Sequence, residues 1–301
     1  MEATARVAVC GARNRVNTVP NPGRLRLVDV RSGASSLASP VSQPCSQAQM
    51  VEPTYAYWCE RIHEVPRFHR KQWEFCYILQ ALAHYGAMRP GARGLGFGVG
   101  EEPLPAVLAA HGVAVVATDL EPIRARELGW VDTEQHAHSK EMLNSRNICE
   151  PVVFNQLVEF QHADMNRIDC DLRDFDLCWS SCALEHLGSI EQGLRFIQKS
   201  LDCLKPGGIA VHTTEYNCYS DTVTLDNDST VLFRRSDFMA LAERLGDAGH
   251  KLAFNFDLGD KPLDVHIDLP PYAPDNHLKL ALAGYVTTSF GIIVRKKGIN
   301  E

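Results

Sequence analysis

The sequence predicts an α/β fold built on a doubly wound, parallel sheet. Three observations carry this. From residue 92 onward, short apolar runs alternate with amphipathic runs of helical spacing. The first apolar run ends in Gly94-Leu95-Gly96-Phe97-Gly98-Val99-Gly100-Glu101-Glu102, a glycine turn between a strand and a helix. The second ends in Thr118-Asp119-Leu120, an acid about 20 residues after that turn. Alternating strands and helices pack as a parallel sheet with helices on both faces. Ligands then sit outside the carboxyl ends of the strands.

Residues 1–50 read differently from the rest. Arg, Ser, Pro, Gly and Gln dominate and apolar periodicity is absent, so the segment is expected to be disordered. Its Arg- and Ser-rich character also fits a transit peptide, or an over-extended start with Met50 as the first residue. A chain starting at Met50 is therefore expected to fold. Trp58, Ile62 and Val65 predict a short helix, and Trp73, Tyr77, Leu79, Leu82 and Tyr85 a longer one over 68–85. These leading helices occupy residues 51–91.

The alternating units follow. Strands are expected over 92–97, 113–120, 157–162, 175–181 and 209–214, and later over 252–258 and 290–295. Helices are expected over 104–111, 133–143, 190–204 and 236–248. Thr133 is a plausible cap for the second of these. The long connection 259–289 carries Asp264-Val265-His266-Ile267-Asp268, then Pro270-Pro271-Tyr272 and a helical stretch over 278–282. Long connections inside compact domains are often functional, so this one is read as a substrate insertion.

The 301 residues, 45% hydrophobic and 22% charged, are those of a globular protein. A net charge of -7 argues against non-specific nucleic-acid binding. No apolar run approaches the roughly 20 residues that span a bilayer. None near residue 1 has the apolar core of a signal peptide. The ten cysteines form no CxxC pair and read as buried free thiols. A cytoplasmic location and no metal site are the expectation.

The strand ends hold the chemistry. Asp119 can accept the hydroxyls of a ribose. Asp164-Met165 can meet an adenine amino group and cover its ring. Two cofactors fit such a site, a dinucleotide or S-adenosylmethionine. The dinucleotide fingerprint GxGxxG fails, because its third glycine would be Val99 or Glu101. A pyrophosphate also disfavours carboxylates at the helix start, whereas a sulfonium and an ammonium favour them. Glu101 and Glu102 thus point to the methyl donor.

At this point the sequence resembles the class I S-adenosylmethionine-dependent methyltransferases. The resemblance lies in Gly94–Gly100, Asp119, Asp164-Met165, Phe175–Ser181, Leu184-Glu185-His186 and Leu204-Lys205-Pro206-Gly207-Gly208, in that order, and covers roughly 65–300. It implies a Rossmann-like, seven-stranded, mostly parallel sheet whose last strand is antiparallel. The segments 252–258 and 290–295 would be strands six and seven of one domain over 51–301. It implies cofactor contacts from Gly96, Gly98, Gly100, Glu101, Asp119, Leu120, Asp164, Met165 and Ser181. One departure stands out: many members carry an acid where this chain has Gly94. Glu101 or the backbone could substitute, or Arg70 and Lys71 could bind the methionine carboxylate.

Glu215, Tyr216, Asp264 and Tyr272 are candidate substrate contacts. His186 and His266 are candidate bases, because a histidine near neutrality can accept a proton. The substrate-loop acids Asp264 and Asp268 would share one face with His266 at strand period. The expected reaction is methyl transfer to a small-molecule, sugar or lipid-linked hydroxyl. Residues 69–74 and Pro270-Pro271-Tyr272 look like bacterial methyltransferases of polysaccharide assembly. The alternatives are a non-catalytic cofactor-binding or interaction module, and an NAD(P)-dependent reductase.

Overall fold

The structure, a computed structural model, describes residues 14–18, 26–121 and 139–299. Strands β1 (Asn14–Thr18), β2 (Arg26–Arg31) and β3 (Gln43–Pro44) come first. Helices α1 (Gln47–Met50), α2 (Pro53–Arg61) and α3 (Arg70–His84) follow. Then come β4 (Arg93–Phe97), α4 (Leu104–Ala110), β5 (Ala114–Asp119), α5 (Pro151–Leu157), β6 (Val158–His162) and β7 (Phe175–Ser181). The last third holds α6 (Ile190–Ser200), β8 (Leu204–Asn217), α7 (Arg235–Asp247), β9 (Ala253–Asn255), α8 (Pro262–Val265), β10 (Ile267–Asp268), β11 (Lys279–Leu282) and β12 (Tyr285–Arg295).

The main sheet runs β6-β5-β4-β7-β8-β12-β11-β10. Its first five strands are parallel and β12 lies antiparallel to β8. This is the predicted doubly wound sheet with an antiparallel late strand. Each face carries its own core, because parallel strands bury both sides. One side packs Trp73, Tyr77, Leu79 and Leu82 of α3, with α2 and α4, on Leu177, Trp179, Val211 and Ile293. The other packs Ile190, Leu194 and Ile197 of α6 and Phe238, Leu241 and Leu245 of α7 on Leu95, Phe97, Ala210 and Ile292. The α6 helix starts where it does because Ser189 Oγ accepts from the Gln192 N–H at 3.2 Å. No helix among the described residues is long and apolar enough to cross a membrane.

The N-terminal segment is the main correction. Residues 29–50 are ordered and packed, not disordered: Leu37, Val41, Cys45, Gln49 and Met50 are buried. β3 pairs with the middle of β12, Phe290 opposite Pro44 and Gly291 opposite Gln43. Tyr77 Oη donates to the Val41 carbonyl at 2.7 Å, and Trp73 Nε1 to Gln49 Oε1 at 2.8 Å. Residues 1–13 and 19–25 lie outside the described residues.

Smaller differences share a cause in tertiary pairing. The 252–258 run yields only β9, which joins β1 and β2 in a separate three-stranded sheet instead of the main one. The 278–282 stretch is strand β11, paired antiparallel to β12, not a helix. Lys205-Pro206-Gly207-Gly208 is an irregularity inside the long β8, with the register against β7 shifting between Phe175 and Leu177. Of the helix expected over 133–143, residues 133–138 lie outside the described residues and Lys140–Asn144 form a 3₁₀ turn.

Candidate active site

The parallel strands end together, and the glycine turn closes the middle of that edge. β4 stops at Phe97, and the backbone turns through Gly98 (φ 58°) and Gly100 (φ 48°). Side chains rarely adopt such angles. A Cβ on Gly98 would also stand 2.9 Å from the Ala183 methyl and 3.3 Å from the Met165 sulfur. The turn is tied to β5, since the Gly100 N–H donates to Asp119 Oδ2 at 3.0 Å and the Leu120 N–H to Oδ1 at 2.8 Å. Gly98, Gly100, Asp119, Leu120 and Met165 are thus brought together as expected. Asp164 is exposed and accepts from the Asn166 N–H at 2.8 Å. Glu101 is exposed in the turn, and α4 begins only at Leu104.

The missing strand acid has a physical explanation. Gly94 and Gly96 face the same side of β4, and the Trp179 indole of neighbouring β7 lies across both. A Cβ on Gly96 would sit 2.4 Å from Trp179 Cζ2, and one on Gly94 would sit 2.9 Å from Leu177 Cδ1 and 3.4 Å from Trp179 Cζ3. The indole Nε1 donates to Glu102 Oε1 at 2.5 Å. Glu102, not Glu101, is the buried acid of the turn.

A second polar cluster lies beside it, over the ends of β7, β8 and β12 and beneath α3. His69 caps α3, its Nδ1 accepting from the Lys71 N–H at 3.2 Å, so the first turn aims Arg70, Lys71 and Glu74 at the sheet. Arg70 ion-pairs with Glu215 and lies 3.8 Å from Glu74. Glu74 also accepts from Ser181 Oγ and Thr213 Oγ1, both at 3.3 Å, and from Ser289 Oγ. Thr287 Oγ1 donates to Glu215 at 2.7 Å. The Cys182 thiol and the Glu185 and Glu215 carboxylates come within 4.8 Å of one another, and Cys182 holds a positive φ of 45°.

These charges are set by burial against pairing. Burial pushes the Glu215 carboxyl up, but Arg70 and Lys71 outweigh it and hold it below its ordinary value. At Glu185 burial prevails and pushes the carboxyl up, with His186, whose Nε2 lies 3.9 Å away, and Lys71 opposing. Burial likewise pushes the Cys182 thiol well up, with Glu185 and Glu74 adding to it. Arg70 Nε is buried with no hydrogen-bond partner among the described residues.

The Arg70–Glu215 pair gives a pH expectation. A carboxyl held low in the folded state contributes stability above its ordinary pKa, and that contribution is lost as the pH falls through the lowered value. Melting curves from pH 7 to pH 3 should therefore show Glu215→Gln losing its destabilisation relative to the parent only below about pH 4.5.

Several predicted contacts fall elsewhere. Tyr216 points to the opposite face from Glu215, as strand alternation requires, and packs among Phe238, Phe256 and Phe290 in the core. Asp264 is fully buried and structural. Its oxygens accept from the Gln47 N–H at 2.7 Å and the Lys261 N–H at 3.1 Å, locking the insertion to the N-terminal segment. His266 is exposed, and α8 ends between it and Asp264, so the expected shared face does not form. Asp268 pairs instead with His277, whose Nδ1 lies 2.6 Å from Oδ2 and whose ring stacks on His69 at 4.8 Å. Tyr272 is half-exposed and donates to the Ala281 carbonyl at 2.7 Å. His186 Nδ1 lies 2.9 Å from the Ser229 carbonyl and ties down that loop. Glu185 enters the cluster in its place.

Sequence reasoning missed Glu74, Glu185 and the Trp179–Glu102 pair. The Arg70-x-x-x-Glu74 spacing was a usable signal, since residues four apart share a helix face.

Residues 95–212 match the model of a methyltransferase domain family. The matched stretch takes in the glycine turn, Asp119, Met165 and Trp179, and S-adenosylmethionine is the methyl donor expected for it. No curated protein matches significantly. Among solved structures, a candidate sarcosine dimethylglycine methyltransferase from Galdieria sulphuraria is 16% identical, with 75% of this chain and 84% of that one covered and a TM-score of 0.47. An S-adenosylmethionine-dependent methyltransferase from Mesorhizobium loti is 15% identical, with 72% and 96% covered and a TM-score of 0.43. A phosphoethanolamine N-methyltransferase from Haemonchus contortus, solved with S-adenosyl-L-methionine, is 18% identical, with 67% and 41% covered and a TM-score of 0.40.

The site fits that cofactor on its own terms. A glycine turn with two positive-φ positions leaves room for close approach, a strand-end acid is held by the turn's backbone, and a buried carboxyl stands beside it.

Proposed function

We propose that the chain methylates a hydroxyl of a small polar acceptor, with a sugar or lipid-linked hydroxyl as the natural class. The acceptor lies between α3 and the ends of β7, β8 and β12. The observation that carries this reading is Arg70 Nε, a buried donor without a partner among the described residues, in a wall otherwise made of hydroxyls and carboxylates. An oxygen-bearing acceptor satisfies it. The cofactor supplies an electrophilic methyl group when bound.

The chain's residues do the rest. Asp119 takes the ribose hydroxyls, Gly98 and Gly100 admit the cofactor to the backbone, and Met165 covers the adenine beside Asp164. Gly96, Leu120 and Ser181 complete the wall. Arg70, Glu74 and Glu215 orient the acceptor, since alignment is the main demand of an in-line displacement. Glu185 is placed to accept the hydroxyl proton, because burial raises its carboxyl above its ordinary value.

Calorimetry with S-adenosylmethionine tests the core of this. The parent should bind it, and Asp119→Ala should bind about tenfold or more weakly, as expected for a charge-assisted hydrogen bond. Unchanged affinity in Asp119→Ala would remove the ribose assignment. Binding of a nicotinamide dinucleotide in place of S-adenosylmethionine would favour a reductase. With the cofactor bound, Glu185→Gln should lower kcat for hydroxyl acceptors while leaving cofactor affinity within about twofold.

A further inference from the structure

Glu102 is a buried carboxyl that the roles above leave unused. Its one hydrogen bond comes from Trp179 Nε1, and no Lys, Arg or His lies within ion-pairing distance of it among the described residues. An unpaired carboxylate in such a place is costly. The fold nevertheless fixes it there, because the indole that orients it is packed against Gly94 and Gly96.

Its neighbours locate it between the two halves of the site. Asp119 faces it from β5, and Glu74 and Lys71 face it from α3. Adenine and ribose are assigned to the β6 and β5 side, and the acceptor to the β7, β8 and β12 side. In S-adenosylmethionine the chemistry between those two ends is the sulfonium with its α-amino-acid arm. That arm carries an ammonium group, a cation of the kind Glu102 lacks within ion-pairing distance among the described residues.

We propose that Glu102 is the residue through which this chain holds the α-ammonium group of its methyl donor, with Trp179 as its positioning residue. The proposal rests on the function given above. It moves the anchoring acid off strand β4, where Leu177 and the indole close in on Gly94, to the turn that follows.

Burial pushes the Glu102 carboxyl well up, the Trp179 hydrogen bond and the Lys71 charge oppose this, and Asp119 and Glu74 add to it. A bound ammonium group favours the charged form, so cofactor binding should release a proton.

The test compares three ligands by calorimetry on the full chain and on Glu102→Gln, which keeps an acceptor for the indole. S-adenosylmethionine and S-adenosylhomocysteine both carry the ammonium group; methylthioadenosine lacks the amino-acid arm. The expected result is a loss of about tenfold or more for the first two and a change under about twofold for the third. On going from pH 8 to pH 5 the parent's binding enthalpy should come to depend on the buffer's ionisation enthalpy, and the variant's should not.

An equal loss on methylthioadenosine would show a role in shaping the pocket and overturn the proposal. A loss confined to S-adenosylmethionine would assign Glu102 to the sulfonium and overturn it as well. Unchanged affinity for all three would do the same. If the parent binds none of the three, the methyltransferase reading falls first, which is a distinct outcome.

A control in the absence of cofactor separates folding from binding. A carboxyl raised in the folded state costs stability as pH rises from its ordinary value through the raised one. Glu102→Gln should therefore gain Tm relative to the parent at pH 8 compared with pH 5.

Discussion

Deleting residues 1–49 is expected to abolish the cooperative melt. The deletion strips Leu37, Val41 and Cys45 from the core, each fully or almost fully buried. Burial of such side chains stabilises by about 1.5–3 kcal/mol each. It also leaves buried groups without partners. Tyr77 Oη loses the Val41 carbonyl, Trp73 Nε1 loses Gln49, and the Ile293 N–H loses Ser42 Oγ at 3.0 Å. Each orphaned group costs about 1–3 kcal/mol. The total reaches the whole stability of an ordinary domain, about 5–15 kcal/mol. Far-ultraviolet circular dichroism on heating checks it. A sigmoidal transition within a few degrees of the parent would show that this segment only decorates the fold.

Placing an acid on strand β4 against the indole, at Gly96, should also destabilise the protein. Gly96→Asp would place a Cβ 2.4 Å from Trp179 Cζ2 and 2.6 Å from Val99 Cγ1. Overpacking of this kind costs about 1–3 kcal/mol. The new carboxyl adds a charge close to Glu102, which is already buried without a cation among the described residues. Effective penalties for a buried charge run to several kcal/mol. The combined cost should lower Tm by roughly 10 °C or more for a chain of this size. Replacing the indole as well, in Gly96→Asp with Trp179→Leu, should recover part of the loss, since the two sites are in contact. If the single variant matched the parent in Tm, the packing account of the glycine would be wrong.

The parts that were legible in the sequence are those where apolar periodicity and burial coincide. β4, β5, β7, α3 and α6 alternate or repeat as core-facing elements must, and their expected bounds agree with the observed ones to within a few residues. The N-terminal segment was illegible because it is buried through hydrogen bonds as much as through apolar side chains. Gln49 Nε2 donates to Ser35 Oγ and the Pro44 carbonyl at 2.8 Å, and Gln43 Nε2 to Gln49 Oε1 at 2.8 Å. A string of Ser, Gln and Pro has the composition of disorder until its partners are known.

The site divides in the same way. The glycine turn and Asp119 are local features of one strand–turn–strand unit, so spacing identified them. The polar cluster joins α3 to three strand ends far apart in sequence, as in Ser289 and Glu74, 215 positions apart. Spacing alone cannot bring such residues together. Histidines drew attention because they titrate near neutrality, yet carboxylates fill the cluster.

The N-terminal clasp also bears on how the chain folds. Ser42 is made early, but its partner Ile293 lies 251 positions later. During synthesis the segment must wait, with Leu37 and Val41 uncovered, until nearly the whole chain has emerged. Pairings of such separation close slowly. The β3–β12 pairing can therefore form only once both strands have been made, and until then the middle of β12 remains an open sheet edge able to recruit another chain.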